Sequence, residues 1–329
     1  MLTNLLSLIA FGVAAAPPKP LVVVTTTTDL ASIAQSVGGD HVTASSLIVG
    51  TRDPHRIEAK PSYMGRVSRA DLFIAVGLDL EVGYENPILQ GSHNSRVVVG
   101  APGHLYAADG VAVLEKPDGG VSRAQGDIHP FGNPHYWEDP YNGRVIAQHI
   151  ADKLADLQPA NAHDFHVNAN AFVQQIDEHM FGAAAVQKFG ADKLWAWQGQ
   201  GVLSQKATVG GWAGRMEPLR GKPVIAYHRS WVYFANRFGL RIVGELEPKP
   251  GLDPTPGHIQ DVVNIGRQQG VKAIMQEPFY SDKAARFVAG RIGGQVVIMP
   301  ASVGQDPGAR DYISLIDTNV AKVASAMGG

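Results

Sequence analysis

The sequence predicts an α/β protein of two lobes, each a mostly parallel sheet flanked by helices. Apolar runs rich in β-branched residues alternate with segments whose apolar residues have helical spacing, and this alternation occurs in both halves of the chain. Strands that alternate with helices favour a parallel sheet. The length of 329 residues, of which 45% are hydrophobic, also exceeds what a single core usually absorbs.

The first half carries the pattern of an N-terminal lobe at residues 21–158. A β-branched run begins at Leu21, and Asp29 then caps the first helix, which ends at Gly38 and Gly39. A loop or weak hairpin rich in Gly, Pro and Asp occupies residues 100–132. The strands are predicted at residues 21–28, 42–49 and 70–76, and the helices at residues 30–37, 61–70 and 141–158.

Residues 159–190 have helical apolar spacing and predict one long helix that joins the lobes. Residues 191–220, which contain Gly and Trp, are interpreted as an insertion or connector. A second α/β pattern over residues 221–329 predicts the C-terminal lobe. Its strands are predicted at residues 223–227, 241–244, 272–276 and 295–299, and its helices at residues 231–238, 258–269, 283–292 and 312–327.

Composition and the N-terminus narrow the functional classes. The net charge is −2 with no Lys/Arg-rich run, which argues against a nucleic-acid partner, and the absence of cysteine excludes disulfides and thiolate ligands. An apolar run at residues 5–13 is followed by three alanines, so residues 1–16 predict a secretory signal peptide. That run is too short to cross a bilayer, which needs about 20 apolar residues. We therefore expect an exported, periplasmic protein with no membrane span.

Three of the 12 histidines lie where an α/β sheet binds its ligands, outside the carboxyl ends of strands. His55 lies in the loop after a predicted strand, His135 just before a predicted helix, and His228 at the carboxyl end of a strand. His55 and His135 each follow a proline, which restricts the backbone and helps to pre-position a ligand. Three imidazoles with a carboxylate or water are a common zinc arrangement, so the pattern predicts a site for a divalent transition metal.

The segments around these histidines resemble, in the same order, the ligand motifs of the metal-binding receptors of zinc/manganese ABC importers, the cluster A-I periplasmic binding proteins. The resemblance runs from about Leu21 to Gly304. Three motifs in the right order are far more specific than any one of them alone. They are Asp53-Pro54-His55, Asn133-Pro134-His135-Tyr136-Trp137-Glu138-Asp139-Pro140 and Tyr227-His228-Arg229-Ser230-Trp231.

The resemblance implies two α/β lobes joined by a long, rigid helix, with the metal held between them. It also implies a membrane permease and an ATPase as partners, and we expect the receptor itself to be a monomer. In such receptors a histidine as the third ligand suits zinc and a carboxylate suits manganese. His228 therefore favours Zn²⁺ over Mn²⁺ as the transported ligand, because nitrogen donors suit zinc better than the harder manganese ion.

The sequence departs from the family pattern at the fourth ligand. The family usually supplies an aspartate after the last strand, but residues 297–304 contain no carboxylate. The fourth position therefore falls to Glu277, at the end of the preceding predicted strand, or to water. Many zinc receptors of this family carry a His-rich loop, but residues 100–132 contain only His104 and His129. His129 precedes His135 closely, so it is a candidate to support or replace a ligand.

Two other functions remain open from the sequence. A zinc-dependent hydrolase also uses three histidines and a water, and Glu277 could then act as its general base. An adhesin-like surface protein is the second alternative, since such proteins resemble these receptors. The sequence contains no His-Glu-x-x-His helix, nucleophile elbow or phosphate-binding Gly loop, which favours a receptor over an enzyme.

Overall fold

The computed structural model describes residues 19–119 and 129–328, so the predicted signal peptide at residues 1–16 lies outside the described part of the chain. The described strands form two sheets of four strands, and every strand pair is parallel. The first sheet contains β1 (Leu21–Thr25), β2 (Val42–Ser46), β3 (Leu72–Ala75) and β4 (His104–Tyr106). The second contains β5 (Pro223–Ala226), β6 (Arg241–Glu245), β7 (Ala273–Gln276) and β8 (Gln295–Ile298).

The two sheets have the same topology, which confirms the predicted pair of parallel α/β lobes. Their strand orders are β2-β1-β3-β4 and β6-β5-β7-β8. In each sheet the chain leaves the first strand for one neighbour and then crosses to the other side. This reversal of direction leaves a crevice at the carboxyl ends of the strands, where ligands bind in open α/β sheets.

Helices cover the sheets and connect the lobes. The N-terminal helices are α1 (Thr28–Gly38), α2 (Pro61–Val67), α3 (Glu85–Ser92), α4 (Pro140–Leu157) and α5 (Ala162–Phe181). The connecting helices are α6 (Ala183–Phe189), α7 (Ala191–Gly199), α8 (Leu203–Lys206) and α9 (Gly211–Met216). The C-terminal helices are α10 (Val232–Phe238), α11 (Pro256–Gln269), α12 (Lys283–Ile292) and α13 (Tyr312–Met327). No helix in the described ranges is long and apolar enough to cross a membrane.

The long helix predicted over residues 159–190 is divided in the structure. Residues 159–161 form a 3₁₀ turn, α5 covers 20 residues, and α6 follows after a break at Gly182. Gly182 has a φ of 82° and a ψ of 137°, a conformation that L side chains rarely adopt and that cannot continue a helix. The predicted insertion at residues 191–220 is largely helical, because α7, α8 and α9 lie within it.

Side chains of both lobes meet at several points across the boundary between them. The Arg237 guanidinium on α10 donates to both carboxylate oxygens of Asp139 at 2.7 Å, and Asp139 also caps α4. The indole of Trp137 donates to the carbonyl of Ala301, and the Asn133 amide donates to the carbonyl of Arg229 at 2.9 Å. The lobes are therefore joined by directional contacts close to the histidine segments.

Candidate metal centre

The structure brings His55, His135 and His228 together from three separate segments of the chain. One ring nitrogen of each lies within 4.8 Å of those of the other two. Their ring centroids are separated by 5.1 Å, 5.3 Å and 5.4 Å. His135 and His228 are 3% and 4% exposed, so the group is nearly sealed from water. Three imidazoles at this spacing could converge on one metal ion.

The two Asx-Pro-His segments, at residues 53–55 and 133–135, hold their histidines in the same way. The Asp53 carboxylate accepts the backbone N–H of His55 and contacts its Nδ1, both at 2.9 Å. The Asn133 amide oxygen accepts the backbone N–H of His135 at 3.0 Å and its Nδ1 at 2.9 Å. A partner at Nδ1 fixes the tautomer and the orientation of the ring. The Nε2 atom of each ring is thus left available to bind a metal ion.

His228 receives its Nδ1 partner from the neighbouring strand. The register of β5 and β6 pairs Ala226 with Glu245, which places Glu247 beside His228, and its carboxylate lies 2.7 Å from Nδ1. Both side chains are 4% exposed. A carboxylate behind a metal-binding imidazole raises the basicity of the ligand. Each of the three histidines therefore has an oxygen partner at Nδ1.

Burial and nearby charges shift the pKa values of His135 and His228 in opposite directions. Burial, followed by the nearby histidines, lowers the pKa of His135 well below its usual value, so this ring is neutral. Burial also disfavours the charged form of His228, but the hydrogen bond and charge of Glu247 outweigh it and raise the pKa of His228. A metal ion that binds through these rings would therefore displace a proton at His228 but not at His135.

Glu277 lies outside the group of three histidines, so the expectation that Glu277 or water completes the ligand set stays a prediction. The chain after β7 directs its side chain into the interior, where it is fully buried. Burial raises the pKa of Glu277 to about 7, and a similar burial raises that of Asp29 to about 6. The Ser230 hydroxyl approaches Glu277, but neither carboxylate oxygen forms a well-shaped hydrogen bond among the described residues.

A fourth histidine borders the group instead. The ring of His129 lies 5.3 Å from that of His55, between centroids. Its Nε2 is buried and has no hydrogen-bond partner in the described part of the chain. Burial and the charges of His55 and His228 lower the pKa of His129 to about 3, so this ring is also neutral.

The cavity beside the histidines is small. It has a volume of about 30 Å³ and is lined in part by His129, His135 and His228. A single water molecule occupies a comparable volume in the liquid. Small organic ligands, in contrast, bind in pockets of roughly 300–1,000 Å³. The space suits one ion or one water rather than an organic substrate.

The oxygen partners of the histidines were not predicted as functional residues, although two of them carried a signal. Asp53 and Asn133 occupy the same place in two Asx-Pro-His triplets. This repetition within one chain indicates that the two side chains make the same local hydrogen bonds. Glu247 carried no local signal. It lies 19 residues after His228 and reaches it because β5 and β6 pair in parallel.

The fold and the position of this site define a class, the substrate-binding proteins of ABC transporters for metals. The chain belongs to the family described as ZnuA, zinc-uptake complex component A periplasmic, whose model matches residues 23–180 and 210–326. The interval between the two matched parts contains α6, α7 and α8.

Curated relatives carry names with different metals. The high-affinity zinc uptake system protein ZnuA of Brucella abortus is 25% identical over 154 residues, which are 47% of this chain and 37% of that protein. The iron-binding protein YfeA of Yersinia pestis is 23% identical, with 94% of this chain and 87% of the relative covered. The manganese ABC transporter substrate-binding lipoprotein PsaA of Streptococcus pneumoniae is 24% identical, with 93% and 89% covered. These comparisons therefore establish the family of the chain but not which metal it binds.

Solved structures share the fold over nearly the whole chain. A crystal structure of ZnuA has a TM-score of 0.68 and 21% identity, and covers 94% of this chain and 99% of its own. A Mn-bound periplasmic metal-binding protein from Candidatus Liberibacter asiaticus has a TM-score of 0.66 and 20% identity, with 93% and 98% covered. Both support the two-lobe architecture described above.

Proposed function

We propose that this protein is a periplasmic receptor that captures zinc between its lobes and delivers it to the permease and ATPase of an ABC importer. The ligands would be His55, His135 and His228. The observation that carries the proposal is their convergence, since each ring is anchored through Nδ1 and faces the others. Such pre-organisation reduces the cost of ordering the ligands when the ion arrives.

Zinc fits the donor set better than manganese does. The group offers three imidazole nitrogens and no carboxylate among the described residues. Imidazole suits zinc, whereas manganese prefers carboxylate, carbonyl and water oxygens. Competitive titration of the metal-free protein with zinc, manganese and iron tests the choice. Manganese binding as tight as zinc binding would contradict it.

The size of the cavity favours a receptor over a hydrolase. A catalytic zinc needs an open position together with room for its substrate, and about 30 Å³ beside the histidines does not supply that room. Glu277 is buried and lies outside the histidine group, which argues against its use as a general base. Zinc binding without hydrolysis of ester or phosphate substrates would support the receptor.

Zinc capture is expected to release a proton from His228. Below its raised pKa this ring carries a proton in the metal-free protein, so zinc affinity should fall as the pH decreases through that pKa, by about tenfold per pH unit. His135 is already neutral and adds no competition there. Calorimetry in buffers of different ionisation enthalpy measures the protons released. In Glu247→Gln the loss of the carboxylate should shift the fall in affinity to lower pH.

Glu277→Gln is expected to leave zinc affinity within about threefold of the parent, a difference below roughly 1 kcal/mol. The substitution should instead raise the free energy of unfolding above pH 7. The pKa of Glu277 is raised from 4.5 to about 7, so ionisation in the folded state is unfavourable above pH 7, and this penalty decreases as the pH falls toward 4.5. A zinc affinity at least tenfold weaker in this variant would show instead that Glu277 is a ligand.

A further inference from the structure

We propose that His129 becomes the fourth ligand when the metal binds, which gives a shell of four imidazole nitrogens that excludes water. The proposal rests on the proposed function, because it concerns the same ion. It differs from the alternatives that the sequence left for this position, Glu277 or a water molecule.

The first observation is the unused nitrogen of His129. Its Nε2 is buried without a partner in the described ranges, which is costly for a polar atom unless a ligand completes it. The ring adjoins His55 at 5.3 Å between centroids, and it lines the same small cavity as His135 and His228. The nitrogen therefore lies at the edge of the space that an ion would enter.

The second observation is that His129 is anchored as the other three histidines are. The backbone of Asp79 makes a hydrogen bond with this ring, and because Nε2 is free, the bond falls on Nδ1. A backbone carbonyl at the second nitrogen is a common support for a metal-binding histidine. Each of the four neighbouring histidines thus has an oxygen partner at one ring nitrogen.

The backbone around Asp79 adopts an unusual conformation. Leu78 and Asp79 have φ values of 56° and 67°, in the left-handed region that non-glycine residues rarely occupy. Such conformations cost energy and persist when their surroundings fix them. Here the buried Glu81 carboxylate accepts the N–H groups of Val76 and Gly77 at 2.7 Å and 2.9 Å. The turn after β3 is therefore held in the shape that presents Asp79 to His129.

His129 differs from the other three in position. It is not part of the group whose ring nitrogens lie within 4.8 Å of one another, and it is half-buried whereas His135 and His228 are buried. The ring must therefore move inward on metal binding. On this geometry His129 is the last ligand to bind the ion and the first to leave it.

A fourth nitrogen would sharpen the selectivity of the site. Tetrahedral coordination by four protein ligands leaves no open position for water, as in non-catalytic zinc sites. It also disfavours manganese, which is bound through oxygen ligands and water. The same residue would thus suppress hydrolytic chemistry and select the cargo.

The test compares the parent with His129→Ala, and uses His163→Ala, which removes an exposed histidine of α5, as the matched control. X-ray absorption of the zinc-loaded parent should show four nitrogen neighbours and no oxygen neighbour. The visible spectrum of the cobalt-loaded parent should not respond to azide, whereas that of His129→Ala should shift, because azide can enter the vacated position. Zinc affinity should fall about tenfold in His129→Ala and stay unchanged in His163→Ala.

An oxygen neighbour in the zinc-loaded parent, or an azide response equal in the parent and His129→Ala, would overturn the assignment of His129. X-ray absorption of the zinc-loaded parent needs no variant, so this measurement remains decisive if His129→Ala folds poorly. Failure of the proposed function looks different, since the parent would then bind neither zinc nor cobalt in a one-to-one complex.

Discussion

His135→Ala is expected to weaken zinc binding by at least tenfold, or roughly 1.4 kcal/mol or more. His135 is 3% exposed, is neutral because burial lowers its pKa, and is oriented by Asn133, so it needs neither deprotonation nor reorientation before it binds the ion. Losses of similar size are expected for His55→Ala and His228→Ala. Competition with a chromophoric zinc chelator measures each affinity.

The His163→Ala control is expected to keep the parental affinity, since this residue is exposed on α5. Circular dichroism of the metal-free variants separates loss of a ligand from loss of the fold. Parental zinc affinity in a folded His135→Ala protein would show that the three histidines are not the ligands.

Arg237→Ala is expected to lower the free energy of unfolding by about 3 kcal/mol. Arg237 binds both oxygens of Asp139 at 2.7 Å, and the two side chains are 14% and 6% exposed. Removal of the guanidinium leaves the carboxylate buried without its cation. The substitution also removes a cation that lies 5.1 Å from the ring of Trp195. Denaturant unfolding of the metal-free protein measures the effect.

The matched control is Arg286→Ala, because Arg286 pairs with Asp282 on the surface and is 70% exposed. Exposed ion pairs contribute little, so this change should cost less than about 1 kcal/mol. Equal losses in the two variants would mean that the contact between Arg237 and Asp139 does not stabilise the lobe boundary.

The lobes and most of their strands were predictable because the apolar pattern of a buried parallel strand is local. β1, β5 and β7 lie within the runs from which they were predicted. The ends of elements were less predictable. The strand predicted at residues 42–49 stops at Ser46, whose hydroxyl lies within hydrogen-bond distance of the carbonyl oxygens of Thr26 and Ile48. The division of the predicted linking helix depends on the backbone conformation of Gly182, which periodicity does not record.

The histidines could be selected from the sequence because each lies beside a strand end or a proline, and the structure gathers them. The partners of their Nδ1 atoms depend on tertiary contacts. Glu247 is adjacent to His228 only through the pairing of β5 with β6. The proximity of His129 to His55 depends likewise on tertiary contacts, among them the one between His129 and the backbone of Asp79. The place of Glu277 in the ligand set stays a prediction, because a strand end alone does not tell which way the next side chain points.

The Asn133 side chain has a consequence for unloading. One end of its amide holds the Nδ1 of His135, while the other donates to the carbonyl of Arg229, the residue after His228 in the opposite lobe. Asn133 thus connects the His135 ring in one lobe to the backbone beside His228 in the other lobe. A partner that pulled the lobes apart would strain this amide, tilt the His135 ring and loosen the ion in a single movement. Release would then need no acidification, since force on the lobes alone would lower the affinity.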